Sequence, residues 1–499
     1  MKRKIIINVE KQEKRIAVVE NGNLEQYFSE RPDHKRFVGN IYKAKVDTVV
    51  SGIQAAFVNL GMKKNGFLYV SDITKPFGDY KEILEEEAEE LEPTRFKENI
   101  NIKDVLKPGQ EVIVQIVKDN ISTKGPRLTT NISLPGRYLV LMPYQSCTGI
   151  SKRIREPEER ERLKNIIGSF RMPDGVGLIV RTLGEGASKR ELIRDFKYLM
   201  RLMKRINCVS RRVTCPALVH EEYDLVLRVI RDYFSEDVEC LIVDSKKEYS
   251  RIYKFLNSLT PDLKSKLQFY QSNKSLFEEY KLEDQIEKIT KRNVQLKSGG
   301  YIIIEPTESL ISIDVNTGSF VKKGSLEETA YITNKESAHE IVRQLKLRDL
   351  GGIIIVDFID MNSRQHRQEI YKILLASLKK DRAKTKVLPI SELGVVEMTR
   401  QRVGKSLESA FSETCPYCKG KGLVKSNFTI AIEALRGIKK ALKTLKVSKI
   451  KVSVHPKVAS HIFNELRSEL NLLENEYNAK IVIEADINEH IENVRITKA

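Results

Sequence analysis

Leu310-Ile311-Ser312-Ile313-Asp314-Val315-Asn316 and Gly351-Gly352-Ile353-Ile354-Ile355-Val356-Asp357 are two apolar runs, and each carries an aspartate near its end. The first reads as a strand. The second is almost continuously apolar, as a buried strand is. Gly300-Tyr301-Ile302-Ile303-Ile304-Glu305 precedes the first run across a short polar turn, so the two read as a hairpin. Between the aspartate runs, Ala338, Ile341, Val342 and Leu345 recur at helical spacing. They predict a helix from about Asn334 to Leu350, ended by Gly351-Gly352. This is α/β text, and open α/β sheets place their ligand groups at strand ends.

Two carboxylates converging there can hold a hard divalent cation. Mg²⁺ keeps much of its water, so one or two protein carboxylates suffice. Asn316 lies two residues beyond Asp314 and points to the same side of an extended chain, where its amide can support Asp314 or meet a phosphate. Strand-end aspartates also cap turns. Spacing does not separate Asp314 and Asp357 from the neighbouring carboxylates Asp360 and Glu305.

Outward from this centre, 499 residues predict several domains. Ile5-Ile6-Ile7-Asn8-Val9 and Arg15-Ile16-Ala17-Val18-Val19 flank a polar turn as strands. From Gly39 to about Leu134 the text is all-β, with short strands at 40–46, 55–61, 66–70 and 108–118, which suggests an OB-type barrel. An acidic, helix-like insert at 82–92 interrupts it. Residues 135–226 mix strands with a helical stretch near 156–167, and 227–290 are α/β. A last α/β unit runs from about Asn427. The net charge of +18 favours a polyanionic partner through counterion release. No apolar run approaches the roughly 20 residues that span a bilayer. The six cysteines are sparse, as expected of a reducing, cytoplasmic setting.

Three further groups carry chemistry. Phe57 and Phe67 lie on successive barrel strands, where aromatics either stack bases or fill the core. Lys118 and Lys124 add cations nearby. Arg181-Thr182 ends the apolar strand Gly177-Leu178-Ile179-Val180; a guanidinium beside a hydroxyl suits a terminal phosphate, while spacing alone favours an ordinary surface arginine with a turn threonine. Cys415-Pro416-Tyr417-Cys418-Lys419-Gly420-Lys421-Gly422 has the spacing of half a zinc knuckle. Structural zinc takes four ligands, so the other two must come from elsewhere in the fold or from a second protomer. A redox dithiol is the alternative; the glycines, and the lack of a thioredoxin-like setting, favour Zn²⁺.

Ser312–Gly318, the run Arg343-Gln344-Leu345-Lys346-Leu347-Arg348-Asp349-Leu350 continuing through Asp357-Phe358-Ile359-Asp360-Met361, and Glu397-Met398-Thr399-Arg400-Gln401-Arg402 resemble the ribonuclease E/G family over almost the whole chain. The resemblance implies a multidomain α/β protein with an inserted all-β S1 (OB-type) barrel, ribonuclease-H-like and DNase-I-like subdomains and a zinc link. The implied segments are 1–37 and 227–290 (ribonuclease-H-like), 38–134 (S1), 135–226 (5′-end sensor), 291–411 (DNase-I-like, catalytic), 412–424 (zinc link) and 425–499 (small C-terminal domain).

It further implies an Mg²⁺-dependent endoribonuclease acting on single-stranded, A/U-rich RNA with a 5′ monophosphate, in ribosomal RNA precursor processing and mRNA decay. Asp314 and Asp357 would bind Mg²⁺ with Asn316 assisting. Phe57, Phe67, Lys118 and Lys124 would hold RNA. Arg181, Thr182 and the backbone at Val140 would read the 5′ end. Cys415 and Cys418 would share zinc across a homodimer. Without a long C-terminal extension, and so without a scaffold tail or membrane tether, the chain resembles the family's shorter, ribonuclease G type. A non-catalytic RNA-binding protein and a DNA-directed metal nuclease are the rival readings.

Overall fold

The computed structural model describes residues 2–32, 36–74, 101–119, 125–319, 326–379, 381, 383–391, 393–401, 413–445 and 447–498. The acidic insert at 82–92 and Lys124 lie outside the described residues. The chain forms two compact units, 1–407 and 408–499.

In the first unit, the N-terminal strands do not make a sheet alone. Arg3–Val9 pairs in parallel with Val238–Val243 and antiparallel with Lys14–Glu20. Five strands result, in the order Leu267–Phe269, Val238–Val243, Arg3–Val9, Lys14–Glu20, Asn23–Glu30. Ile5, Ile6 and Ile7 are all fully buried, so this sheet is covered on both faces, as the continuous apolar text requires. Helices Leu225–Tyr233 and Lys246–Leu259 supply one cover, through Val226, Ile230, Ile252 and Leu256.

Residues 41–129 close a five-stranded barrel. Ile41–Val50, Ala55–Asn59, Gly66–Tyr69, Arg127–Thr129 and Glu111–Lys118 follow one another, and the last pairs back onto the first. Ala217–His220, far away in sequence, adds a strand beside Ile41–Val50. The next sheet orders Thr148–Ile150, Gly177–Val180, Leu139–Met142 and Leu134–Pro135. It rests on Pro157–Gly168, close to the helix expected near 156–167, and on the 24-residue helix Lys189–Arg212. Sequence reading missed the longer helix, although its start carries a legible signal. Ser188 and Glu191 cap each other's backbone N–H groups in a reciprocal box.

The sheet that holds the aspartates has six strands, in the order Asn293–Gln295, Tyr301–Pro306, Leu310–Asn316, Gly352–Asp357, Val395–Arg400, Thr385–Val387. Tyr301–Pro306 and Leu310–Asn316 form the expected hairpin. Ile302, Ile304, Ile311, Ile313, Val315, Ile354, Val356, Val396 and Met398 face one side and bury against helices Leu326–Leu347 and Arg364–Leu378. The other side is open, because its residues are exposed or only half-buried. The first of these helices begins at Leu326, eight residues before the expected Asn334. Its first turns are threonine-rich, which lowers helix propensity in isolation. Burial of Thr329, Ala330 and Thr333 overrides that preference.

The second unit has a three-stranded sheet: Lys449–Val454 lies parallel to Lys480–Ala485 and antiparallel to Val494–Lys498. Helices Asn427–Leu445, Pro456–Asn464 and Arg467–Tyr477 pack on it.

Candidate active site

Strands Leu310–Asn316 and Gly352–Asp357 run parallel, and their register sets Asp314 directly beside Asp357. The row continues as Ile303, Asp314, Asp357, Val395 across four strands. Alternation along each strand turns the aspartates to the open face while Ile313 and Val356 enter the core. Asn316 is on the same face, and its Nδ2 donates to Asp314 Oδ2 at 2.5 Å. Partial burial, and then the charges of Asp314 and Asp360, push the Asp357 carboxyl above its ordinary range. Like charges held side by side on a rigid sheet are destabilised until a cation lies between them.

Of the rival carboxylates, Glu305 stands apart, while Asp360 is near enough for its charge to act on Asp357. Glu305 is on the same face, but its cross-strand partner is Ser312 rather than Asp314, and it forms an ion pair with Arg292. Asp360 lies just past the end of its strand. Gly394 makes room for it: the glycine's φ is +80°, and a Cβ there would come within 3.1 Å of Asp360 Oδ1. Among the described residues, no group of three or more His, Cys, Asp and Glu is placed to hold a metal. Two aspartates with an amide are an oxygen donor set that fits Mg²⁺, which needs few protein ligands.

Sequence reading missed a group that braces the chain just beyond Asp357. Asn334 is fully buried in helix Leu326–Leu347. Its Nδ2 donates to Ile359 O at 2.7 Å, and its Oδ1 accepts from Ile359 N at 3.1 Å. It thus clamps the loop that leaves Asp357. Glu327 accepts from the N–H groups of Asn362 and Ser363, holding the same loop further on. Asn334→Leu keeps the bulk and removes both bonds. It is expected to lower kcat about tenfold to a hundredfold, as loss of a partner behind metal ligands does. Single-turnover cleavage, with circular dichroism to confirm the fold, checks it.

On the barrel, Phe57 and Phe67 are cross-strand partners with ring centroids 4.6 Å apart. Both stay out of the apolar core, which Ala56, Val58 and Leu68 fill. The row extends from Phe67 to Arg127 and on to Lys118, the exposed last residue of its strand. Two rings and two cations therefore share the barrel's outer surface. Arg127 is also held by Asp72 at 3.0 Å.

Arg181 is buried; its Nη1 donates to Gly136 O and to Asp232, both at 2.8 Å. The Thr182 hydroxyl meets the Ser151 hydroxyl at 3.0 Å. Val140 is buried in the adjacent strand, with Ile179 as its partner. The fully buried Asp195 accepts the N–H groups of Arg137, Tyr138 and Leu139, and so fixes the backbone that enters this strand.

In the second unit, Cys415 is exposed on the turn that precedes helix Asn427–Leu445. N–H groups of Cys418 and then Tyr417 lower its thiol pKa, and Cys418 Sγ accepts from Gly422 N at 3.3 Å. Lys419, Gly420 and Gly422 all have positive φ, which turns the backbone around the sulfurs.

The sequence matches a model of the ribonuclease E/G family over residues 133–403. A model of the ribonuclease E/G thioredoxin-like domain matches residues 414–499. The expectation that the cysteines lack a thioredoxin-like setting is thereby overturned. They nonetheless sit well before the helix, not at its N-terminus, where a redox thiol gains its low pKa. Ribonuclease G of Haemophilus influenzae is 40% identical over 461 residues, 92% of each chain. Ribonuclease G of Escherichia coli is 39% identical over 465 residues, 93% of each. Ribonuclease E of Escherichia coli is 38% identical over 95% of this chain and 44% of its own length. A paired-aspartate sheet lying within the first match, and ribonuclease G relatives aligned over more than nine tenths of their length, place this chain in the ribonuclease E/G family.

Proposed function

We propose that this endoribonuclease hydrolyses single-stranded, A/U-rich RNA at Asp314 and Asp357 and leaves 5′-phosphate and 3′-hydroxyl ends. The side-by-side register of the two carboxylates carries the reading. Asp314 and Asp357 would hold Mg²⁺, which when bound polarises the phosphodiester and stabilises the leaving oxygen. Asn316 keeps Asp314 oriented through its amide. The open face leaves room for an extended strand of RNA to approach, and the Asn334 clamp keeps Asp357 from swinging away.

The barrel acts as the S1 domain, with Phe57 and Phe67 stacking bases and Lys118 meeting the backbone. Replacing either ring with alanine is expected to weaken RNA binding by about 1–3 kcal/mol per base lost, or about fivefold to a hundredfold in KM. Cleavage of a saturating substrate should change little, and steady-state kinetics separate the two. Arg181, Thr182 and Val140 form the 5′-end sensor, with Asp232 holding the guanidinium in place. The sheet built from residues 3–30 and 238–269 is the ribonuclease-H-like part, and the six-stranded sheet is the DNase-I-like part.

Cys415 and Cys418 supply two of four zinc ligands, and a second protomer supplies the same pair. Cys415→Ser is expected to abolish bound zinc, from half an ion per chain, and to convert dimers to monomers. Metal analysis with light scattering reads both, and zinc-free wild-type dimers would refute the link.

The deciding experiment compares one A/U-rich sequence as 5′-monophosphate RNA, 5′-hydroxyl RNA and DNA, with Mg²⁺ or with chelator. The reading expects internal cuts in RNA only, faster with the monophosphate and none in chelator. RNA bound but never cut would favour the non-catalytic alternative.

A further inference from the structure

Helix Lys189–Arg212 presents a cationic stripe that no part of the proposed cleavage site uses. Lys197, Arg201, Lys204, Arg205, Arg211 and Arg212 are exposed; steps of three and four residues, and of seven from Lys204 to Arg211, put them along one side. From Lys197 to Arg212 the stripe is about 22 Å long at 1.5 Å per residue. The helix has only two acids, and both turn away from it. Glu191 closes the N-terminal capping box, and Asp195 is buried on backbone N–H groups. Among the described residues, the ion pair on the helix's outer side is Arg194 with Asp262, before the stripe begins.

Two arginines in a last turn offset the helix dipole, but Lys197, Arg201, Lys204 and Arg205 are mid-helix and gain nothing from it. Like charges three and four residues apart instead repel one another. A solvated surface would be expected to intersperse acids here.

A second observation lies at the C-terminal end. Tyr144 is 52% exposed, yet it is pinned: its hydroxyl donates to Asn207 Oδ1 of the same helix at 3.0 Å. The Arg211 guanidinium is near enough to act on the phenol. A held, accessible ring beside unneutralised cations is the combination that binds nucleic acid without regard to sequence.

We propose that this stripe and Tyr144 form an accessory track for the RNA backbone, engaging parts of long substrates that extend beyond the active site. Phosphates neutralise the cations, and a base stacks on Tyr144.

The test uses the full chain carrying Lys197→Gln, Arg201→Gln, Lys204→Gln and Arg205→Gln together. All four positions are exposed, and the change removes like-charge repulsion. The substrates share one cut site, in a short RNA covering the active site alone and in a long RNA. On the short RNA, kcat and KM should stay as in wild type. On the long RNA, KM should rise about tenfold or more, and the slope of log KM against log salt should fall by about 3, four phosphates at roughly 0.7 each. Tyr144→Ala should raise KM on long RNA, and Tyr144→Phe, which keeps the ring but loses its tether, should raise it less.

Exposed Cys208, on the same side between Arg205 and Arg211, gives an independent readout. Its alkylation, followed by peptide mass spectrometry, should slow when long RNA is bound and not when short RNA is. Equal losses on both RNAs, unchanged KM on long RNA, or unprotected Cys208 would each overturn the proposal.

Discussion

Asp357→Asn is expected to lower kcat for RNA cleavage by about a thousandfold or more while RNA affinity stays within about twofold. The substitution is nearly isosteric and falls on an exposed face, so the sheet should fold as before. It removes one of the two carboxylate charges that would hold a divalent ion, together with a carboxyl whose pKa partial burial, and then repulsion from Asp314 and Asp360, now raises. Asp314→Asn should behave alike, because parallel register makes the two positions equivalent across one backbone spacing. Asn316→Ala should cost less, since it leaves both carboxylates and deletes only the amide that orients Asp314. Single-turnover cleavage of a labelled oligonucleotide gives kcat, and anisotropy gives affinity. A variant at Asp357 that cuts as fast as wild type would move the site, with Asp360 the next carboxylate to test.

Arg400→Met should destabilise the first unit by about 3–5 kcal/mol, the usual loss when one partner of a buried ion pair is removed. The Arg400 side chain is 3% exposed and that of Asp381 is 4%. Nε donates to Asp381 at 2.7 Å, and Nη1 donates to Asp349 at 3.0 Å and to Leu350 O at 2.6 Å. Without the guanidinium, the buried Asp381 carboxylate loses its ion-pair partner. The Asp349–Leu350 turn, which feeds the strand ending on Asp357, loses its anchor. Thermal unfolding should show a large fall in Tm. The double variant Arg400→Met with Asp381→Leu should recover much of it, because neither partner is then left unpaired. If the single variant melts with wild type, the pair does not hold this corner together.

The aspartate strands were legible because their signals are local. A period of two, a strand-ending carboxylate and a glycine pair can each be read from neighbours in the chain, and the same holds for the Cys415–Gly422 turn with its glycines. The start of helix Leu326–Leu347 was misplaced for the converse reason. Its threonines speak against helix locally, and only the apolar sheet they pack on decides the matter. Helix Lys189–Arg212 was missed although Ser188 and Glu191 announce it.

Phe57 and Phe67 illustrate a limit of alternation. It shows that two residues share a face, not which face is the core, and barrel closure with Ala56, Val58 and Leu68 inside turned the rings outward. The buried bonds of Asn334 and Arg400 were not legible, although Asn334 stood at the expected helix start and Arg400 within a family-like run. A buried polar residue is recognised by its partners, and these lie 25 residues away at Ile359 and 19 away at Asp381.

The sequence by itself determined which residue types stand at strand ends and turns, because backbone preference and hydrophobic period act over a few residues. Tertiary structure alone decided that Asp314 faces Asp357, and that residues 3–30 complete a sheet with residues 238–269. Parallel strands share no turn to set their register. It is set by how the connecting helix buries its apolar side, a balance that spans the whole core.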